Sequence, residues 1–351
     1  MRPIYRIVVP FSILALHSCG ATAKKSHSST SAKADDSTAA TNGYDAVLCG
    51  VSGWSDNSGY SFNADAWNPQ GDGYQCLSII NASSPTDAGF DATWYWPDDP
   101  GNVHSFPHVT YPLTDLPSAL SNITTLRLAA GWAMTPGSVS TARGLEKRAA
   151  FDLDGLEDIG ATANVAFDMF LDEDPENSTN ATLAGYEIMI WIGRVGTPYP
   201  LGYDSGNASC YTQQLGSFNF SLFTGLNSHN ASVFTWVSTT DQLTFDEDIS
   251  PLLQYLWRND LVSADVLLGV IEFGSEAYYA SGNVTFSAGQ FAIDVLNGDP
   301  PNFSLDAIGK DCPKPKKSNA KAKARPAELS VVVVFAICTF VALSQGNGIL
   351  F

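Results

Sequence analysis

The chain has 351 residues, 44% of them hydrophobic and 15% charged, with a formal net charge of −18 at pH 7. Such acidity repels phosphate backbones and polyanionic glycans, so it excludes a nucleic-acid partner and favours a neutral one. Histidines number five and are scattered, with no CxxC or HExxH spacing, so neither a metal nor another cofactor is expected.

Residues 1–23 read as a signal peptide: Arg2 and Arg6 form a basic start, an apolar run follows, and Ala21-Thr22-Ala23 offers a small-residue cleavage site. The run is too short to span a bilayer. Residues 24–43 are rich in Ser, Thr and Ala and lack aromatics, so they cannot bury enough surface to order; a disordered, O-glycosylated linker is expected. Residues 44–309 hold all eight tryptophans and form the folded domain. This stretch holds six basic residues against 32 acidic ones, which makes it more acidic than the whole chain.

Setting aside Cys19 in the leader and Cys338 in the tail leaves Cys49, Cys76, Cys210 and Cys312. An even number in a secreted chain suggests two disulfides with three possible connectivities. The local pair Cys49–Cys76 is preferred, leaving Cys210–Cys312. Sequons at Asn81, Asn122, Asn177, Asn180, Asn207, Asn219, Asn230, Asn283 and Asn302 fit a eukaryotic secretory route.

Within the domain, residues 165–171 (VAFDMFL), 186–192 (YEIMIWI), 232–238 (SVFTWVS), 266–273 (VLLGVIEF) and 283–295 (NVTFSAGQFAIDV) read as strands. One helix is predicted over 249–259, with Ser250 as N-cap, Pro251 at its first position, and Leu252, Tyr255 and Leu256 on one face. Many short strands with one helix imply an all-β protein: a two-sheet antiparallel sandwich, of jelly-roll type, with a concave substrate cleft.

In YEIMIWI, alternation places Tyr186, Ile188, Ile190 and Ile192 on a core face, and Glu187, Met189 and Trp191 on the other. An acid beside an aromatic platform suits a sugar cleft, although a half-exposed face with a chance glutamate would look the same. In VIEFGSEAYY, Glu272, Gly274 and Glu276 share one face, and spacing alone does not choose between Glu272 and Glu276. Asp168 is a third strand-borne acid. Carboxyls gathered in a cleft raise one another's pKa, which glycoside hydrolysis requires of its proton donor.

At these residues the chain resembles glycoside hydrolase family 12, jelly-roll endoglucanases and xyloglucan hydrolases. YEIMIW is similar to that family's nucleophile strand and FGSEAY to its acid/base segment. The resemblance implies Glu187 as nucleophile, Glu276 as acid/base and Asp168 as the residue that holds the nucleophile. Ala66-Trp67-Asn68 resembles a segment with a substrate-stacking tryptophan, and Cys49–Cys76 matches a family disulfide. Trp67, Met189 and Trp191 would then line the cleft, unless they serve the core instead. Asn68 and Ala277 depart from the family's Gly and Pro, and Glu272 stands where an uncharged polar residue is usual. The reaction implied is retaining, on a neutral β-1,4-glucan, by a monomer.

Two other readings use the same residues: a non-catalytic wall-binding module, which should lack one glutamate, and a wall-associated surface protein. A serine hydrolase has no G-x-S-x-G to support it. After a basic spacer over 310–328, residues 329–351 open with an apolar run, with basic residues before it and none after it. That order, with Ser318-Asn319-Ala320 upstream, fits a GPI-attachment signal better than a spanning anchor. The membrane would then be reached only through a lipid.

Overall fold

The computed structural model describes residues 44–50, 54–57, 59–69, 71–80, 87–112, 115–138, 151–203 and 211–300. The expected signal peptide, linker, spacer and tail, Cys210, Cys312, and the sequons at Asn81, Asn207 and Asn302 lie outside the described residues.

In chain order the strands are β1 (Ala46–Cys49), β2 (Trp54–Asn57), β3 (Tyr60–Asn63), β4 (Tyr74–Ile80), β5 (Gly89–Tyr95), β6 (His108–Thr110), β7 (Ser118–Ala119), β8 (Ile123–Pro136) and β9 (Thr162–Asp172). They continue with β10 (Tyr186–Val195), β11 (Thr212–Leu215), β12 (Phe218–Leu226), β13 (Ser232–Ser238), β14 (Thr244–Asp248), β15 (Leu267–Gly274), β16 (Ala277–Tyr279) and β17 (Val284–Asn297). Among the described residues the α-helices are α1 (Leu153–Asp158), α2 (Pro175–Ser178) and α3 (Ser250–Arg258).

The strands form two sheets. One runs β1-β4-β5-β17-β8-β14. The other runs β11-β12-β13-β10-β9-β15-β6-β3-β2, with β16 on β9 and β7 on β15. The sandwich is antiparallel as expected, with an exception: β10 pairs parallel with β13. A parallel pair needs a long connection, and here the β11–β12 hairpin supplies it.

Alternation in β9 explains why the site sits where it does. Ala163, Val165, Phe167, Met169 and Leu171 enter the core between the sheets, packed with Ile188, Ile190 and Ile192 of β10. That commits Asn164, Ala166, Asp168 and Phe170, with Glu187, Met189 and Trp191, to the opposite face of the larger sheet. Ladder shifts between Trp191 and Gly193, and between Leu268 and Val270, bend the strands on either side of β9.

Cys49 and Cys76 are register partners in β1 and β4, and they form a disulfide. The bond ties an edge strand to its neighbour across a separation of 27 residues. We expect Cys49→Ser with Cys76→Ser to lower stability by about 3–4 kcal/mol through the unfolded state. Calorimetry showing an unchanged Tm would contradict this.

The helix runs one residue shorter at each end than expected, and Ser250 is its first residue rather than its cap, which puts Pro251 second. Ile249 occupies the cap position without a side-chain bond. Asp248, just before it, ties down the first turn: its Oδ1 accepts from Ser250 N at 3.0 Å and Ser250 Oγ at 2.7 Å. The same oxygen accepts from Leu126 N at 3.0 Å, so Asp248 also pins α3 to β8. Helices α1 and α2 were not predicted; Asp152 and Asp174 cap them.

Candidate active site

The outer face of the larger sheet carries four acids around β9. In the ladder Met189 lies opposite Asp168, and Asp168 in turn lies opposite Glu272. Glu187 stands two residues from Met189, in register with Phe170. Glu276 follows β15 and meets Asn164 at the other end of the row.

Glu187 and Glu276 each have an amide clasp. Asn227, at the turn between β12 and β13, donates from Nδ2 to Glu187 Oε2 at 2.7 Å. Its own Oδ1 accepts from His229 N and Ala231 N, both at 3.0 Å, which fixes the amide's orientation. At Glu276, Asn164 Oδ1 accepts from the backbone N at 2.9 Å and its Nδ2 donates to Oε2. Tyr278 Oη also donates to Oε2, at 3.2 Å. Ser275 Oγ, donating to Asn164 O at 2.6 Å, locks the same corner.

The Ala277 departure has a structural consequence. Its N–H donates to Ser105 O at 3.0 Å, and its carbonyl accepts from His104 N at 2.9 Å. A proline could not make the first of these bonds. The backbone after Glu276 is therefore held by a bridge of its own.

The electrostatics separate the two glutamates. Burial raises the Glu187 carboxyl above its ordinary range, the Asn227 bond draws it back, and the charge of Glu272 raises it again. Burial and then the charge of Glu187 push Glu276 up to about 7, against the pull of Asn164 and Tyr278. Asp168 is 6% exposed, and its Oδ1 has no hydrogen-bond partner among the described residues. Burial, then the charges of Glu187, Glu272 and Glu276, hold its carboxyl well above the usual range. The two glutamates are thus set apart: Glu276 keeps its proton up to about pH 7, while the Asn227 bond favours the ionised form of Glu187.

The model of glycosyl hydrolase family 12 matches residues 58–296. The chain belongs to glycosyl hydrolase family 12. It is 25% identical over 232 residues to "Xyloglucan-specific endo-beta-1,4-glucanase A" of Aspergillus aculeatus, covering 66% of this chain and 83% of that protein. A protein of Neosartorya fischeri, "Probable xyloglucan-specific endo-beta-1,4-glucanase A", is 25% identical over 223 residues, 64% of this chain and 79% of its own. The fold is similar to that of endoglucanase 3 from Trichoderma harzianum, with TM-score 0.57 and 22% identity over 71% of this chain and 97% of the other. It is also similar to the catalytic domain of Humicola grisea Cel12A, with TM-score 0.57 and 24% identity over 72% and 99%.

Within this family 12 domain, the structure brings Glu187, Glu276, Asp168, Met189 and Trp191 onto one face. Trp191 is only 2% exposed and Met189 5%; they pack with Ala166, Phe223, Val233 and Val237 as the floor rather than as an open platform. Trp67 is different, at 51% exposure. Its neighbours are pinned: Ala66 is buried, and Asn68 N donates to His104 O at 3.1 Å.

Sequence reading missed Asn164, Asn227, Tyr278 and His108. Asn164 left a signal, a polar residue at the same strand parity as Asp168. Asn227 left none, because its partner is 40 residues away. Beyond the floor, Tyr199 and Tyr203 stand exposed with ring centroids 4.5 Å apart, and Tyr203 stacks on Phe223 at 5.6 Å. Of the expected glycosylation sites, Asn122, Asn180, Asn219 and Asn230 are exposed, while Asn177 and Asn283 are half-buried.

Proposed function

We propose that this protein is a secreted, endo-acting, retaining β-1,4-glucan hydrolase of cellulase or xyloglucanase type. The observation that carries the reading is the split between the glutamates: Glu276 is held up to about 7 by burial and by the charge of Glu187, while the Asn227 amide favours the ionised form of Glu187. Glu187 then attacks the anomeric carbon as Glu276 gives its proton to the departing oxygen. Water, deprotonated by Glu276, releases the sugar from Glu187 in the second half. Asp168, whose carboxyl burial and the neighbouring glutamates hold well above its usual range, supports the nucleophile from β9 beside it.

The choice of substrate rests on charge and aromatic surface. The domain's acidity favours a neutral polymer. Trp67, together with Tyr199 and Tyr203, offers ring faces suited to pyranose stacking on an extended chain. The curated relatives named above carry xyloglucan in their names. The test is to incubate the purified domain with cellulose, mixed-linkage β-glucan and xyloglucan, and follow new reducing ends by proton NMR. We expect mid-chain cleavage with the β-anomer appearing first; an initial α-anomer would remove the covalent mechanism.

The sequence features outside the described residues support a location. The leader and the tail after Ser318-Asn319-Ala320 fit secretion followed by lipid attachment at Ser318 or Asn319. Phosphatidylinositol-specific phospholipase C should therefore release the protein from intact cells. Retention after that treatment counts against the anchor.

A further inference from the structure

Glu272 stands where the resemblance places an uncharged polar residue, so this chain has a third acidic glutamate beside the two assigned to chemistry. It does not stand there alone. His108 Nε2 lies 3.3 Å from Glu272 Oε1, and both side chains are largely buried. His108 Nδ1 donates to Phe106 O at 2.8 Å, which fixes the ring and directs Nε2 at the carboxylate. The only other ion pair among the described residues joins Arg127 to Asp246, and it is well exposed.

The backbone is arranged to allow this contact. His108 lies directly opposite Gly274 in the β15–β6 ladder. A Cβ on Gly274 would come within 2.4 Å of Pro107 O and 2.8 Å of His108 Cβ. Glycine between the two glutamates of VIEFGSE thus lets the histidine strand close in. The charged and titratable groups around the pair are Asp65, after β3, which acts on His108; Asp168 on β9, opposite Glu272; and Glu187 on β10, which feels Glu272.

We propose that His108 is a positioning residue whose imidazolium cancels the charge of Glu272 within the carboxylate row and so keeps Glu187 ionised for attack. The inference rests on the assignment of Glu187 above and deepens it. Burial alone would lower the imidazole, but the Glu272 carboxylate, with Asp65 behind it, holds His108 up to about 9. The cation therefore persists through the pH at which Glu276 titrates. Without it, Glu272 is a bare negative charge that opposes ionisation of Glu187; without Glu272, burial again lowers the imidazole, so both charges leave the row together.

The test compares the full-length wild type with His108→Gln, Glu272→Gln and the double variant. Each is followed by kcat/KM against pH on an aryl β-cellobioside and on soluble xyloglucan. Because kcat/KM reports the free enzyme, its acidic limb follows Glu187. We expect the limb to move up by about one pH unit in His108→Gln and to stay close to the wild type in Glu272→Gln. The double variant should return close to the wild type. A purely structural role predicts lower Tm and lower kcat with an unmoved limb, and that result overturns the proposal.

Imidazole NMR on the unmutated protein covers the case in which a variant does not fold. His108 should remain protonated at pH 6 to 8, and a neutral ring there also overturns the proposal. Glu187→Gln serves as the control: if it retains full activity, the assignment of the nucleophile fails. If it is inactive and the limb is unmoved, only the role of His108 fails.

Discussion

Glu187→Gln is expected to abolish glucan hydrolysis, by on the order of 10⁴-fold or more, as loss of a nucleophile does when nothing replaces it. The substitution is nearly isosteric, and the Asn227 Nδ2 that donates to Glu187 Oε2 at 2.7 Å can donate to the new amide oxygen. Removing a half-buried carboxyl whose ionisation burial disfavours should not unfold the domain. Circular dichroism should match the wild type while turnover vanishes. Azide offers a sharper reading with the Ala variant: attack from the vacated side should yield a glycosyl azide of inverted configuration. Retained turnover in Glu187→Gln would move the nucleophile elsewhere.

The second large effect concerns Glu276. Its carboxyl, pushed up to about 7, is protonated across mildly acidic pH, so activity should fall as pH rises through about 7. Glu276→Gln should lose about 10²–10⁴-fold on polymers, whose leaving oxygen needs the proton. It should lose far less on dinitrophenyl glycosides in the first step, since that leaving group departs unaided. Equal losses on both substrates would contradict an acid role.

The same shift predicts a stability effect of definite sign. The folded-state pKa lies above the ordinary 4.5, so the group's contribution is fully present below that value and is lost as pH rises through about 7. At pH 8 the amide variant escapes the penalty and should be more stable than the wild type by about 2 kcal/mol, after a discount for partial exposure. At pH 4 the two should coincide. Chemical denaturation at both values measures this.

The strands that carry the site were legible because their alternation is strict. β9 and β10 divide their residues between core and outer face as the apolar pattern requires, and the position of Glu187 follows from Ile188, Ile190 and Ile192. The contacts that tune the acids were not legible, even where a residue such as Asn164 stood out by its strand parity. Asn164 meets Glu276 across 112 positions, and His108 reaches Glu272 only because Gly274 admits its strand. Register between distant strands decides such contacts, and no local pattern encodes it. The parallel pairing of β10 and β13 is of the same kind, since each strand's own sequence fits either direction. Trp191 shows the limit in another way: parity put it on the correct face, while its burial came from Phe223 on β12 and Val237 on β13.

The central claim is that Glu187 forms a covalent bond to sugar. A 2-deoxy-2-fluoro β-cellobiosyl fluoride should inactivate the protein with time, because the 2-fluorine slows both attack and release while the activated leaving group restores the rate of attack alone. Mass spectrometry of the intact protein should then show one added glycosyl unit, and peptide mapping should place it on Glu187 in the YEIMIW segment. A label on Glu272 or Glu276, or turnover with no adduct, would contradict the account.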